Sequence, residues 1–294
     1  MSETVFENIT RPESEYLNGV LGVPVSVLDH GFIRVIDYMG DEAAIVQAAR
    51  VSYGKGTKTP SDDRGLIRYL MRHRHTTPLE MVELKLHVKL PMFVARQWIR
   101  HRTANVNEYS ARYSILDREF YIPAPEHLAV QSTDNKQGRG QVLDATDSAQ
   151  VLQWLKEDAN SAYKTYEEMI RPQDEGGIGL ARELARMNLP TNIYTQWYWK
   201  VDLHNLLHFL SLRADSHAQY EIRVYAEEMC KIIAGWMPNV WEAFEDYRMQ
   251  AHTFSRQEMD IIRKMISENG ISRPDTFMNI REHQAFMKAL GFDS

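Results

Sequence analysis

Between Arg100 and Ser114 the chain reads Arg-His-Arg-Thr-Ala-Asn-Val-Asn-Glu-Tyr-Ser-Ala-Arg-Tyr-Ser. Three arginines, a histidine, a glutamate and two serines fall within that short span. Planar guanidinium forks bind two oxygens at once, which suits phosphate and carboxylate. A cluster of this kind is most often a solvated helix face. Here Glu108, Ser110 and Arg112 continue the polar run at alternate positions, and in an extended backbone they would point the same way. A carboxylate, a hydroxyl and a guanidinium on one face make a small-molecule site.

The elements before the cluster must deliver it. Pro91 to Arg100 reads as an amphipathic helix, with proline suited to the first turn. Met92, Val94, Ala95, Trp98 and Ile99 form its apolar surface, and Arg96 and Arg100 share a face four residues apart. Upstream, Glu80 to Leu90 alternates strictly: Val82, Leu84, Leu86, Val88 and Leu90 face one way, and Glu83, Lys85, His87 and Lys89 the other. That is a strand with one buried face, which favours an antiparallel or mixed sheet. Val25–Leu28 and Phe32–Tyr38 flank Asp29-His30-Gly31 as a hairpin, and Ile193–Trp199 reads as another strand. Asp41 caps one helix that ends near Gly54, and Asp62 and Asp63 open a second, over Leu66–Met71. A long helix is expected over Ser148–Met169, a short one over Ala181–Met187, and another over Ala218–Ala234. The glycines of Gly176-Gly177-Ile178-Gly179 follow acidic residues rather than a strand, so they read as a turn and not a phosphate loop. The expected fold class is α+β (mixed α/β), with a central mostly antiparallel or mixed sheet flanked by long helices. Residues 1–22 read as a loosely held lead-in, 23–237 as the catalytic domain, and 238–294 as a helical C-terminal extension.

Composition narrows the function. A hydrophobic content of 44% and a charged content of 25% are those of an ordinary globular chain. The net charge of −6 argues against whole-surface attraction to nucleic acid, and no apolar run is long enough to span a membrane. With one cysteine, Cys230, there is no disulfide framework, and a cytoplasmic setting is expected. Two rival readings exist. His204 and His208, at i and i+4, could hold zinc with Asp202 or His217, but Asn205 stands where a metalloprotease needs glutamate. A nucleic-acid module could use Arg72-His73-Arg74-His75 with the arginines of 96–118, but the acidic total weighs against it. Ser110 as a nucleophile lacks any triad order.

Arg100-His101-Arg102, seven intervening residues and then Ser110 resemble the signature of the flavin-dependent thymidylate synthases. Ala49-Arg50-Val51-Ser52-Tyr53, His75-Thr76-Thr77-Pro78-Leu79-Glu80 and Leu210-Ser211-Leu212-Arg213-Ala214-Asp215-Ser216-His217-Ala218 are similar to further blocks of that family, in the same order. The similarity runs from about Val25 to Trp236. It implies reductive methylation of dUMP to dTMP, with methylenetetrahydrofolate as carbon donor and FAD, reduced by NADPH, as hydride carrier. No cysteine nucleophile is required, and Cys230 lies in an apolar helical setting where a thiol is ordinarily inert. The implied assembly is a homotetramer with active sites between subunits.

The resemblance places dUMP against Gln97, Trp98, Ile99, Arg100, Glu108, Tyr109, Ser110, Ala111, Arg112, Arg186 and Arg213. Of these, Arg213 is the implied catalytic residue, a cation at the uracil edge. It places FAD against Ser52, His75, Thr77, Glu80, Arg100, His101, Arg102, Glu108, Asp202, His204 and His208. Many members carry asparagine where Asp202 stands and arginine where His204 stands, and His208 replaces an asparagine in some. No metal is implied.

Overall fold

The computed structural model describes residues 11–51, 63–133, 138–269 and 280–292. The chain divides into two compact units, one running to Met249 and one beginning at Gln250. In chain order the first unit holds α1 (Glu15–Val20), β1 (Val25–Val27), β2 (Gly31–Met39), α2 (Glu42–Val51), α3 (Asp63–Arg72) and α4 (Thr77–Glu80). There follow β3 (Glu83–Pro91), α5 (Met92–Trp98), β4 (Asn105–Glu108), β5 (Ala129–Gln131), β6 (Arg139–Val142), α6 (Ala145–Ile170) and α7 (Arg182–Ala185). Then come β7 (Tyr194–Asp202), α8 (Leu203–Arg213), α9 (Tyr220–Trp236) and α10 (Pro238–Phe244), the last continuing into a π-helical stretch, Glu245–Met249. The second unit holds α11 (Arg256–Glu268) and α12 (Ile280–Leu290). Ser255 and Glu258 close a capping box on α11, and Arg263 Nε donates to Ala289 O at 3.0 Å.

The main sheet has the order β1-β2-β3-β7-β4 with every named pairing antiparallel. The fold class is α+β, as the alternation in β3 requires. Leu84, Leu86, Val88 and Leu90 are buried on one face, where they stand opposite Val201, Trp199, Trp197 and Thr195 of β7. Helices α5, α8 and α9 cover that face. Trp98 sits at the centre, edge-on to Trp197 and Trp199 and 4.7 Å from Phe209, an arrangement that adds ring–ring attraction to area burial. On the other face, Arg34 Nε donates to His87 Nδ1 and His87 Nε2 meets Gln196 Oε1, both at 3.0 Å. Burial, and then the Arg34 cation, hold the His87 ring below its usual pKa.

Three expectations are revised. The strand over Glu80–Leu90 begins at Glu83, because Thr77–Glu80, with Pro78 in its first turn, forms the short helix α4. The lead-in is held down over its described part: Ser14 caps α1, and Leu17 is fully buried. The boundary expected after Met237 falls inside the first unit, since α10 buries Val240, Ala243 and Phe244 against α3 and α9. The expected hairpin turn, the Asp41 cap and the glycine turn are present, with Asp41 Oδ1 accepting from Ala44 N at 2.8 Å and Gly176 and Gly179 at positive φ. Ser52, Gly54 and Asp62 lie outside the described residues.

Candidate active site

Helix α5 ends at Trp98, and the chain turns through His101-Arg102-Thr103-Ala104 into the edge strand β4. Glu108 pairs with Trp197 across the ladder, and Tyr109 N donates to Gln196 O at 2.8 Å. The ladder ends there. Tyr113 N and Ser114 N both donate back to Ser110 O, at 3.1 and 3.0 Å, forming a turn. The alternation expected for Glu108, Ser110 and Arg112 therefore fails after Ser110. Arg112 swings to Glu183, with Nη2 3.0 Å from Oε2. A second apolar cluster fixes this turn: Ala111, Leu116 and Phe120 pack against Ala159, Tyr163 and Tyr166 of α6, and Tyr163 Oη donates to Leu116 O at 2.6 Å.

One pocket forms beneath β4. Ile99, Glu108, Tyr109, Ser110, Ala111 and Arg186 line it together with Arg96 and Thr195. Thr195, 2% exposed, donates through Oγ1 to Glu108 Oε1 at 2.8 Å. Arg96 and Arg186 are exposed and, among the described residues, pair with no carboxylate. Nearby in sequence, Gln97 Oε1 is buried and meets no donor among the described residues, and a buried acceptor left unmade costs free energy until something fills it. Trp98 belongs to the core rather than to the pocket. Arg96 and Thr195 are additions to the expected set. Arg96 was visible only as the helical neighbour of Arg100. Thr195 is a polar residue on the apolar face of β7, and that placement was its signal.

A second cavity brings together His75, Thr76, His204 and His208, over the apolar floor of Leu79 and Leu207. His75 and Thr77 also border an apolar cavity between α2 and α3; Glu80 lines neither. Arg100 and Arg102 are exposed on the turn before β4. Asp202 serves as the N-cap of α8: Oδ1 accepts from Asn205 N at 2.9 Å and Oδ2 from Asn205 Nδ2 at 2.6 Å. Among the described residues no group of three His, Cys, Asp or Glu side chains is placed to hold a metal.

Arg213 and His101 do not line this second cavity; Arg213 closes α8, the helix that carries His204 and His208. Arg213 Nε donates to His101 Nε2 at 3.0 Å, which makes that nitrogen the acceptor and puts the ring proton on Nδ1. The His101 ring lies 6.2 Å from that of His208 and 4.9 Å from Phe209. Burial, then Arg213, then His208 push its pKa down to about 4. His101 is therefore neutral at pH 7 and leaves the Arg213 charge undiminished. The two Nη groups of Arg213 meet no protein acceptor among the described residues, so they are free for a ligand. On α9, burial pushes the Cys230 thiol up to about 12, so no thiolate is available there at neutral pH.

The family profile described as thymidylate synthase complementing protein matches residues 34–239, well over half of the chain. The chain belongs to the flavin-dependent thymidylate synthases. A flavin-dependent thymidylate synthase of Ruegeria pomeroyi is 66% identical over 265 residues, covering 90% of this chain and 87% of that one. Another, from Rickettsia conorii, is 58% identical over 282 residues, covering 94% and 96%. Among solved structures, the UMP/dUMP methylase PolB of Streptomyces cacaoi bound with 5-Br dUMP is 33% identical with a TM-score of 0.66, covering 76% of this chain and 99% of its own. Membership in a flavin-dependent thymidylate synthase family implies a flavin cofactor. The donor set agrees with it: aromatic and imidazole rings with hydroxyls line the second cavity, and no carboxylate does.

Proposed function

We propose that this chain converts dUMP to dTMP by reductive methylation. Methylenetetrahydrofolate gives the carbon, NADPH gives the electrons, and FAD, when bound, supplies hydride chemistry. The observation that carries this reading is the Ser110 pocket. It is a hydroxyl, two arginines that pair with no carboxylate among the described residues, and a Glu108 carboxylate already oriented by Thr195, all of them donors or acceptors for a nucleotide.

Carbon 5 of uracil is a weak nucleophile until charge builds in the ring. Arg213, at the uracil edge, favours the N3-deprotonated or enolate form, because a fixed cation stabilises charge that develops beside it. His101 acts through Arg213: neutral and hydrogen-bonded, it fixes the guanidinium without competing for its charge. Gln97, Arg100, Ser110, Arg112 and Arg186 hold the nucleotide, with Ser110 and Arg112 near its phosphate. His75, Thr77, Glu80, Arg102, Asp202, His204 and His208 face the flavin, together with Ser52. Cys230 stays protonated and takes no part.

The Ser110 pocket does not include Arg213. A homotetramer with active sites between subunits accounts for this, since one chain would then supply Ser110 and another Arg213. The setting is the cytoplasm, which a lone free thiol suits.

The test is an anaerobic absorption spectrum of the purified protein. A flavin band that NADPH bleaches at a rate altered by dUMP is expected, followed by dTMP formation once methylenetetrahydrofolate is added. Protein that binds no FAD would overturn the reading.

A further inference from the structure

The cavity holding the three histidines is also lined by two arginines, Arg74 and Arg248. They come from different elements, one from the turn after α3 and one from the π-helical stretch after α10. Arg74 sits at φ 58, in the left-handed region. Its amide donates to Met71 O at 3.3 Å, and the next amide, of His75, to Leu70 O at 2.9 Å. Helices commonly end this way with glycine, and a side chain there is strained by about 1–2 kcal/mol. An arginine held at that cost points to a use for its charge.

Arg248 lies beyond residue 239, where the family match ends. Its Nη2 donates to Met71 O at 2.9 Å and its Nη1 to Tyr247 O at 3.2 Å. These bonds hold the guanidinium against the same helix end that carries Arg74. Burial, and then Arg74, hold Arg248 below the usual arginine range. Among the described residues neither arginine pairs with a carboxylate, and the cavity lining contains none. Two cations share a concave, partly apolar site with only hydroxyls and imidazoles beside them. An anion seated between them would relieve the repulsion and gain two forked donors.

We propose that Arg74 and Arg248 form a clamp for the phosphoryl oxygens of the flavin nucleotide, with Thr76 and Ser211 as neutral donors. The clamp rests on the flavin reading given above and extends it to residues outside the signature blocks. NADPH and dUMP carry the same oxyanions, so the experiment must separate the three.

Flavin-free full-length protein is titrated with FAD, FMN and riboflavin by flavin fluorescence, at low and at high salt. Wild type is compared with Arg74→Gln, Arg248→Gln and Arg248→Lys; dUMP binding and the NADPH KM are measured alongside. Each glutamine variant is expected to bind FAD about tenfold more weakly and with a shallower salt dependence. Riboflavin and dUMP binding should be unchanged, and Arg248→Lys should recover part of the loss. Arg74→Gln keeps the test sound if Arg248→Gln destabilises the fold, because the Arg74 side chain is exposed and makes no side-chain hydrogen bond or ion pair among the described residues. FAD affinity equal to wild type in Arg74→Gln, an equal weakening of riboflavin and FAD, or a rise confined to the NADPH KM would each overturn the clamp. Wild-type protein that binds no flavin of any kind would overturn both the clamp and the flavin reading, a result distinct from the other three.

Discussion

Arginines of the first unit are used in two opposite ways. Where α3 meets α10, Arg64 forks onto Glu242 at 2.8 and 2.5 Å, and Arg68 bridges Glu242 and Asp246 at 3.1 and 2.5 Å. Under the β5–β6 hairpin, Arg139 meets the buried carboxylate of Glu221 at 2.6 Å. Along α5 and the turn from it to β4, by contrast, Arg96, Arg100 and Arg102 have no carboxylate partner among the described residues, nor has Arg186 after α7. Among the described residues Arg213 has His101 as its hydrogen-bond partner. In the first group charge is neutralised to fasten elements together. In the second it is left open at a cost in self-repulsion, which only a bound anion or a developing negative charge repays.

The sharpest way to break this contrast is to remove one arginine of each kind. Arg213→Ala is expected to lower the rate of dTMP formation by about 10²–10³, the usual cost of losing one preorganised electrostatic donor. Its thermal midpoint and FAD retention should stay near wild type. Unchanged turnover would remove Arg213 from the chemistry. Arg68→Ala should do the reverse. Its side chain is 9% exposed, and its loss removes the cation from Asp246 while Glu242 keeps Arg64, so about 1–2 kcal/mol of stability should go. Turnover per folded molecule should stay within about twofold, on the footing that the residue touches no reacting group. Denaturant melts paired with single-turnover assays distinguish the two outcomes.

His101 gives a pH test of the same idea. Its folded pKa of about 4 lies below the ordinary 6.5, so between those values the unfolded chain binds more protons. Stability of the flavin-free protein should therefore rise with pH from about 4 to 6.5 and level off above. His101→Gln should flatten that rise, and urea midpoints at pH 5 and pH 7 would show it. An unchanged slope would mean that His101 does not hold Arg213 as a neutral acceptor.

How far the sequence reveals this division depends on the range of the forces involved. The β3 alternation, the Asp29–Gly31 hairpin turn and the long helix over Ser148–Met169 are local patterns, and they were legible. So was the Arg100-His101-Arg102 signature, as a string. Its partners were not, because the neutral state of His101 depends on burial and then on Arg213 and His208, which α8 brings to it from a hundred residues away. The Glu80–Leu90 alternation ran too far because Val82 keeps its inward place even though the chain before it is helical. Arg74 read as part of a cationic run; nothing local announces its positive φ or the arrival of Arg248. Arg112 read as a neighbour of Ser110 because strand periodicity was carried two residues beyond the last ladder bond.

That last residue permits the finest test. Arg112 and Glu183 are 54% and 51% exposed, and a surface pair of this kind is worth about 0.2–1 kcal/mol. If Arg112 holds the dUMP phosphate, Glu183 competes with the nucleotide for it, and the competition costs no more than that pair is worth. Glu183→Gln should then lower the dUMP KM by at most about fivefold and leave stability almost unchanged. Arg112→Gln should raise KM by about tenfold, the loss of one charge-assisted bond. With arginine gone, Glu183→Gln should have no further effect, because nothing remains to be released. Were Arg112 only a surface cation, neither single change would move KM, and its pairing with Glu183 would place it with Arg68 rather than with Arg213.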